Sequence, residues 1–235
     1  RIDHVMGLMR QFWIPEGFDG SAGAYVRFPA EDLFGILAQE SRRSGAIIVG
    51  EDLGTVPAGF RDLLQRYGVL STRVVQFERD WNGAFKPASS YPPNAYVVAG
   101  THDMAPLAGF ATGRDLAIRR QVGLIGDDAA LADAVRRRLQ DWNALKASLT
   151  EEGFEVDNQS DDVPIVSRAL IGFIAKSPAC LLGMSLDDLA GEREPVNVPG
   201  VGQDRHASWS RKMMMSLEEI VASPTIRNVL CDKRT

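Results

Sequence analysis

The sequence predicts an α/β protein in which βα units surround a parallel sheet. Short β-branched runs alternate with stretches of helical period, and a polar cluster follows each of the clearest apolar runs. The 235 residues, 45% of them hydrophobic, supply one sizeable core and fit neither a disordered nor a fibrous chain.

Taken in order, Ala46–Gly50 reads as a strand because an apolar run of strand length ends abruptly at Glu51-Asp52-Leu53-Gly54. Thr72–Phe77 and Ala95–Ala99 read the same way, the second running into Gly100-Thr101-His102-Asp103, and Ala179–Gly183 is a fourth candidate. Between them the periodicity predicts helices near residues 31–43, 58–67, 114–122, 129–148 and 165–176. The interval from Asp103 to Cys180 is too long for a single crossover, which predicts a helical insertion at about 112–165. Arg136-Arg137-Arg138 falls on a predicted helix and is expected on its solvated face, and Met213-Met214-Met215 is expected to pack a helix. The opening Arg1-Ile2-Asp3-His4 lacks an initiator Met and enters like the end of a strand. Residues 1–235 are therefore expected to be the C-terminal part of a longer protein.

Composition excludes several classes. A net charge of −5 with both signs interspersed leaves no continuous basic face, so no nucleic-acid partner is expected. No apolar run reaches the roughly 18 residues of a membrane span, and no signal-peptide layout opens the chain, so a cytoplasmic setting without membrane attachment is expected. Two cysteines make no disulfide framework, and neither has a partner at metal-ligand spacing. Cys180 reads as a small core residue and Cys231 as a bystander near the end.

Acids stand at the places where parallel-sheet enzymes do chemistry. Asp3, Glu51 and Asp103 each follow a strand or the start of the chain, at intervals of about fifty residues that suit one or two βα units. Each of them has a plain structural alternative, a helix N-cap or a solvated loop: Glu51-Asp52 suits a turn cap and Asp103 a helix cap near Leu107. Together they suit glycoside chemistry, in which a protonated carboxyl assists the leaving group while an ionised one captures the anomeric carbon. A third acid would favour the charged transition state. In such a cluster, like charges and partial burial raise the pKa of the group that must start protonated, and a nearby cation keeps another ionised. Arg1, two residues before Asp3 and on the same strand face, is suitably placed to be that cation. The pairing points to Asp3 as nucleophile and Glu51 as acid/base.

Read as letters, the motifs carry a resemblance. Arg1-Ile2-Asp3-His4-Val5-Met6-Gly7-Leu8, continued by Phe12-Trp13-Ile14-Pro15 and Gly23-Ala24-Tyr25-Val26, resembles the nucleophile region of the glycoside hydrolase family 77 4-α-glucanotransferases, the amylomaltases. Gly50–Pro57 is similar to their acid/base motif, Thr101-His102-Asp103 to the stabiliser motif, and Glu194–Gly200 to a late substrate loop, all in the family's order. In detail, Ala105-Pro106, Gly109-Phe110-Ala111 and Ser208-Trp209-Ser210-Arg211 stand where the family usually has other residues.

The resemblance implies the C-terminal portion of a (β/α)₈ barrel, with Asp3 as nucleophile, Glu51 as general acid/base and Asp103 as transition-state stabiliser. It further implies that Arg1 orients Asp3, that His102 binds hydroxyls of the sugar at the cleaved position, that His4 faces the acceptor side and that Asn197 touches the glucan. The implied reaction is a retaining double displacement that moves α-1,4-glucan segments between malto-oligosaccharide, starch or glycogen-derived chains, with hydrolysis by the same barrel class, or glucan binding without catalysis, as the alternatives. Trp13, Tyr25 and Phe28 are expected in core packing more than at subsites. Carboxylate catalysis of this kind calls for no metal and no cofactor. A barrel lacking its first strands would expose sheet edges, so the isolated segment is expected to act weakly and to self-associate.

Overall fold

A computed structural model describes residues 1–157, 162–224 and 226–227. Arg10–Trp13 (β1) and Ala24–Arg27 (β2) form an antiparallel hairpin with Phe12 opposite Tyr25. Ala30–Ser44 (α1) follows, with Glu31 and Asp32 in its first turn, Arg42 and Arg43 in its last, and Gly45 closing it in the left-handed conformation. Then come Val49–Gly50 (β3), Phe60–Arg66 (α2), Leu70–Val74 (β4) and Ala95–Val98 (β5). The helices Leu107–Thr112 (α3), Arg114–Gln121 (α4), Asp128–Glu151 (α5) and Val163–Lys176 (α6) precede Leu181–Gly183 (β6), and Leu186–Ala190 (α7) and Leu217–Ala222 (α8) complete the order. The larger sheet runs β3-β4-β5-β6.

The chain forms two compact units. The first comprises Arg1–Arg73, Pro92–Tyr96 and Ala179–Leu181. In it β3 and β4 pair in parallel across α2, with Val49 opposite Leu70. Ile2 makes a parallel bridge to Gly50, with α1 in the intervening chain, so two successive βαβ crossovers are present. Their core is Val5, Met6, Phe34, Phe60, Leu63, Leu64 and Val69, which joins the turn after Ile2 to the inner faces of α1 and α2. The second unit, Val74–Tyr91, Val97–Pro178 and Leu182–Thr235, is mainly helical, with Trp142, Leu145 and Leu149 of α5 and Val166, Leu170 and Phe173 of α6 buried.

Several sequence expectations need correcting. The run at Ala46 pairs only from Val49, because the Ala46 amide is taken by the Ser41 carbonyl at the end of α1 and Ile47 stays exposed. The strand expected at Thr72–Phe77 starts at Leu70 and stops at Val74, and Val75–Phe77 winds into a 3₁₀ turn. Cys180 is exposed: the extended chain there alternates faces, and Ala179 is the residue turned inward. Cys231 lies outside the described residues. The three methionines lie outside any helix, since α8 starts after them with a Ser216/Glu219 capping box, and Met214 is exposed. Arg138 leaves the solvated face to pair with Asp115, at 2.7 Å and 2.8 Å, and to cover the Phe110 ring. Arg136 and Arg137 do stay outside, paired with Asp133. Trp13 and Tyr25 are exposed on the hairpin, where Arg10 stacks over Tyr25, and Phe28 is half-buried.

Candidate active site

In the first unit the loops after two neighbouring strands are tied together at Asp3 and Glu51. The Ile2 amide donates to the Val49 carbonyl at 2.8 Å, the Glu51 amide to Ile2 at 2.9 Å, and the Val5 amide to Glu51 at 3.0 Å. This close approach depends on Gly50: a Cβ there would stand 2.8 Å from the Val5 Cγ1. His4 takes a left-handed conformation, φ 44°, and its amide donates to Glu51 Oε2 at 2.7 Å. Glu51 Oε1 accepts the Leu53 amide at 2.7 Å, so the turn-capping role open to this residue is in use alongside any other. Each oxygen keeps a lone pair for further bonding.

Asp3 is exposed, and Arg1 Nη2 lies 2.9 Å from its Oδ1, leaving the second oxygen open. Asp52 has the opposite environment. It is fully buried, takes the Thr72 amide at 2.7 Å on one oxygen and Arg61 Nε at 2.9 Å on the other, and so fixes the backbone next to Glu51. The unit therefore brings Arg1, Asp3, His4 and Glu51 together.

The second unit gathers the other expected residues. Asn197 Nδ2 donates to Asp103 Oδ1 at 2.6 Å, and His102 Nε2 lies 3.5 Å from Asp103 Oδ2. Asn197 is held from both sides: the Val198 amide donates to Ser208 Oγ at 3.2 Å, and the Trp209 amide donates to the Val196 carbonyl at 2.8 Å. Val198 is also packed on Ile118 of α4 and on Val122, which follows that helix. Beside Asp103 and Asn197 opens a cleft of about 260 Å³, also lined by Gln76, Phe110, Arg119 and Arg138. The helix-cap alternative for Asp103 does not apply, because the Leu107 amide is taken by Asp188 at 2.6 Å. Burial, with a smaller push from Asp187, raises the Asp188 carboxyl above its ordinary range against the opposing Leu107 bond.

Trp209 and Arg138 escaped the sequence reading. Trp209 sits with its ring 5.2 Å from that of His102, and only contacts across more than a hundred residues reveal it. The triple-arginine run marked Arg138, but helical phase alone did not single out the inward member.

Acids following adjoining parallel strands, on successive βαβ crossovers, define an α/β chain whose candidate site lies at the ends of its strands. The family model described as 4-alpha-glucanotransferase, glycoside hydrolase family 77, matches residues 1–217, and the chain belongs to that family. A 4-alpha-glucanotransferase of Haemophilus influenzae is 34% identical over 233 residues, 97% of this chain and 33% of the relative. One from Mycobacterium bovis is 35% identical over 215 residues, 89% and 29% of the two chains. The chain thus spans about a third of the length of these relatives. The crystal structure of amylomaltase from Corynebacterium glutamicum is similar with a TM-score of 0.91 at 27% identity, over 99% of this chain and 35% of that one. The amylomaltase from Streptococcus agalactiae in complex with acarbose shares the fold at a TM-score of 0.61 and 17% identity, over 97% and 39%. The fold is therefore that of part of a (β/α)₈ barrel.

Proposed function

We propose that this chain carries the catalytic acids of a 4-α-glucanotransferase. Asp3 attacks the anomeric carbon of an α-1,4-glucan and forms a covalent glycosyl intermediate, while Glu51 protonates the departing chain. Glu51 then takes the proton from the hydroxyl of an incoming glucan, and the glycosyl unit leaves Asp3 with its anomeric configuration retained. Asp103 stabilises the positive sugar, Arg1 fixes one oxygen of Asp3, His102 and Asn197 hold hydroxyls, and His4 faces the acceptor.

The observation that carries the reading is the His4 amide donating to Glu51 directly beside Asp3, which sets the proposed nucleophile and the proposed acid on adjoining parallel strands. The substrates are malto-oligosaccharides or starch- and glycogen-derived chains, the setting is cytoplasmic, and residues of about 112–165 act as a helical insertion. Among the described residues no helix is long and apolar enough to cross a membrane. The 235-residue chain alone is expected to act slowly and to self-associate.

The test is prolonged incubation of the chain with maltotriose, read by mass spectrometry, together with labelling by a fluorinated glucosyl donor. A ladder of shorter and longer glucans, a label on Asp3, and loss of at least about a hundredfold in rate in Glu51→Gln are expected. Glucose without any lengthened chain would assign a hydrolase, and glucan affinity that persists in Asp3→Ala, with no label on Asp3 in the wild type, would assign a glucan-binding segment.

A further inference from the structure

Trp209 is held in a way that packing does not explain. Its φ of 62° puts a bulky residue in the left-handed region, where among the described non-glycine residues it is joined only by His4. Such strain persists only where the surroundings enforce it. Here they do, since the Trp209 amide is bound to Val196 and the preceding Ser208 is bound through its hydroxyl to Val198 and through its carbonyl to Gln203. Yet the strain secures no buried ring, because Trp209 remains 59% exposed. One side of the indole lies near His102, with centroids 5.2 Å apart and planes inclined by 47°. The same loop fixes Asn197 on Asp103, so a polar edge of amide, carboxylate and imidazole borders an open aromatic face.

That combination suits one ligand chemistry. A pyranose ring has an apolar C–H face and a rim of hydroxyls, and sites for such molecules combine an aromatic wall with a few placed polar groups. We infer that Trp209 is a glucan-contact residue: one glucose ring lies on its open face while His102, Asp103 and Asn197 take that ring's hydroxyls. The backbone strain at 209 then serves to aim the indole. This inference rests on the glucan reading above and adds to it a residue that determines affinity.

The experiment titrates the chain with maltoheptaose by intrinsic fluorescence and calorimetry, in the wild type and in Trp209→Phe, Trp209→Ala and Trp209→Gly. The wild type is expected to bind with a fluorescence response that disappears in all three variants. Trp209→Ala and Trp209→Gly should bind about tenfold more weakly, and Trp209→Phe within about threefold of wild type. Glycine adopts positive φ without strain, so Trp209→Gly should unfold at a temperature no lower than wild type while binding less. A purely structural tryptophan would give the reverse, a loss of stability with affinity intact. Wild-type affinity in Trp209→Ala and Trp209→Gly would overturn the inference and leave the glucan reading standing. No binding of maltoheptaose by the wild type would overturn both.

Discussion

Gly50 is the point where the geometry of Asp3 and Glu51 is most exposed to a single methyl group. An alanine Cβ would meet three carbons of Val5, at 2.8, 3.2 and 3.3 Å. Val5 is fully buried against Phe34 and Phe60, and its β-branched side chain has one stiff rotamer choice to give. The strand has little freedom to retreat either, because the residues flanking Gly50 are bonded to Ile2 at 2.8 and 2.9 Å. Overpacking of this kind costs about 1–3 kcal/mol. Alanine also restricts the unfolded chain, which returns about 0.4–1 kcal/mol. The net expectation for Gly50→Ala is a destabilisation of about 1–2 kcal/mol, with displacement of Glu51 and a fall in any activity that depends on it. Val5→Ala alone should cost about 2 kcal/mol through lost burial and a cavity. Combined, the two should cost less than their sum by at least about 1 kcal/mol, since the new methyl fills the space that the valine vacates. Urea unfolding of the four proteins measures the cycle. Additivity within about 0.5 kcal/mol would show that Val5 is not what excludes a side chain at 50.

Two further outcomes follow from the second unit. Asp188 binds its proton more tightly folded than unfolded, so its contribution to stability is complete at acid pH and is lost as pH rises above about 4 and through the raised folded value. Asp188→Asn, which keeps an acceptor for the Leu107 amide, should therefore gain melting temperature over wild type increasingly between pH 4 and neutrality; a gap that shrinks over that range refutes the assignment. Arg138→Ala should cost about 3–5 kcal/mol, because it strands the half-buried Asp115 carboxylate and uncovers Phe110, and Arg138→Lys should recover less than half of that, lacking the planar fork. Equal melting of the lysine variant and wild type would show that charge alone suffices.

The sequence was most informative where local physics decides the outcome. The periodicity placed α1, α4, α5 and α6 to within a few residues, most plainly α6, whose Val166, Ala169, Leu170, Phe173 and Ile174 are buried at helical spacing. The strands were legible as apolar runs but not at their ends, because pairing and the cap of α1 determine where Ala46 and Val75 go. Arg1 beside Asp3 was legible from a spacing of two residues along a strand. The His4–Glu51 bond was not, since it arises from a left-handed turn and a neighbouring strand forty-seven residues away. Exposed Trp13, Tyr25 and Trp209 defied the usual preference of aromatic rings for the interior.

Asp52 governs how far the loop after β3 can move. It is the covalent neighbour of Glu51, yet it is fully buried and held by Arg61 and the Thr72 amide. To swing the loop outward, the chain would have to part the buried Asp52 carboxylate from Arg61 and free the Thr72 amide in one event, so both losses oppose the movement together. Glu51 inherits that stiffness through a single peptide bond. Anyone wishing to re-aim the outer acid would have to rebuild the socket of the inner one first.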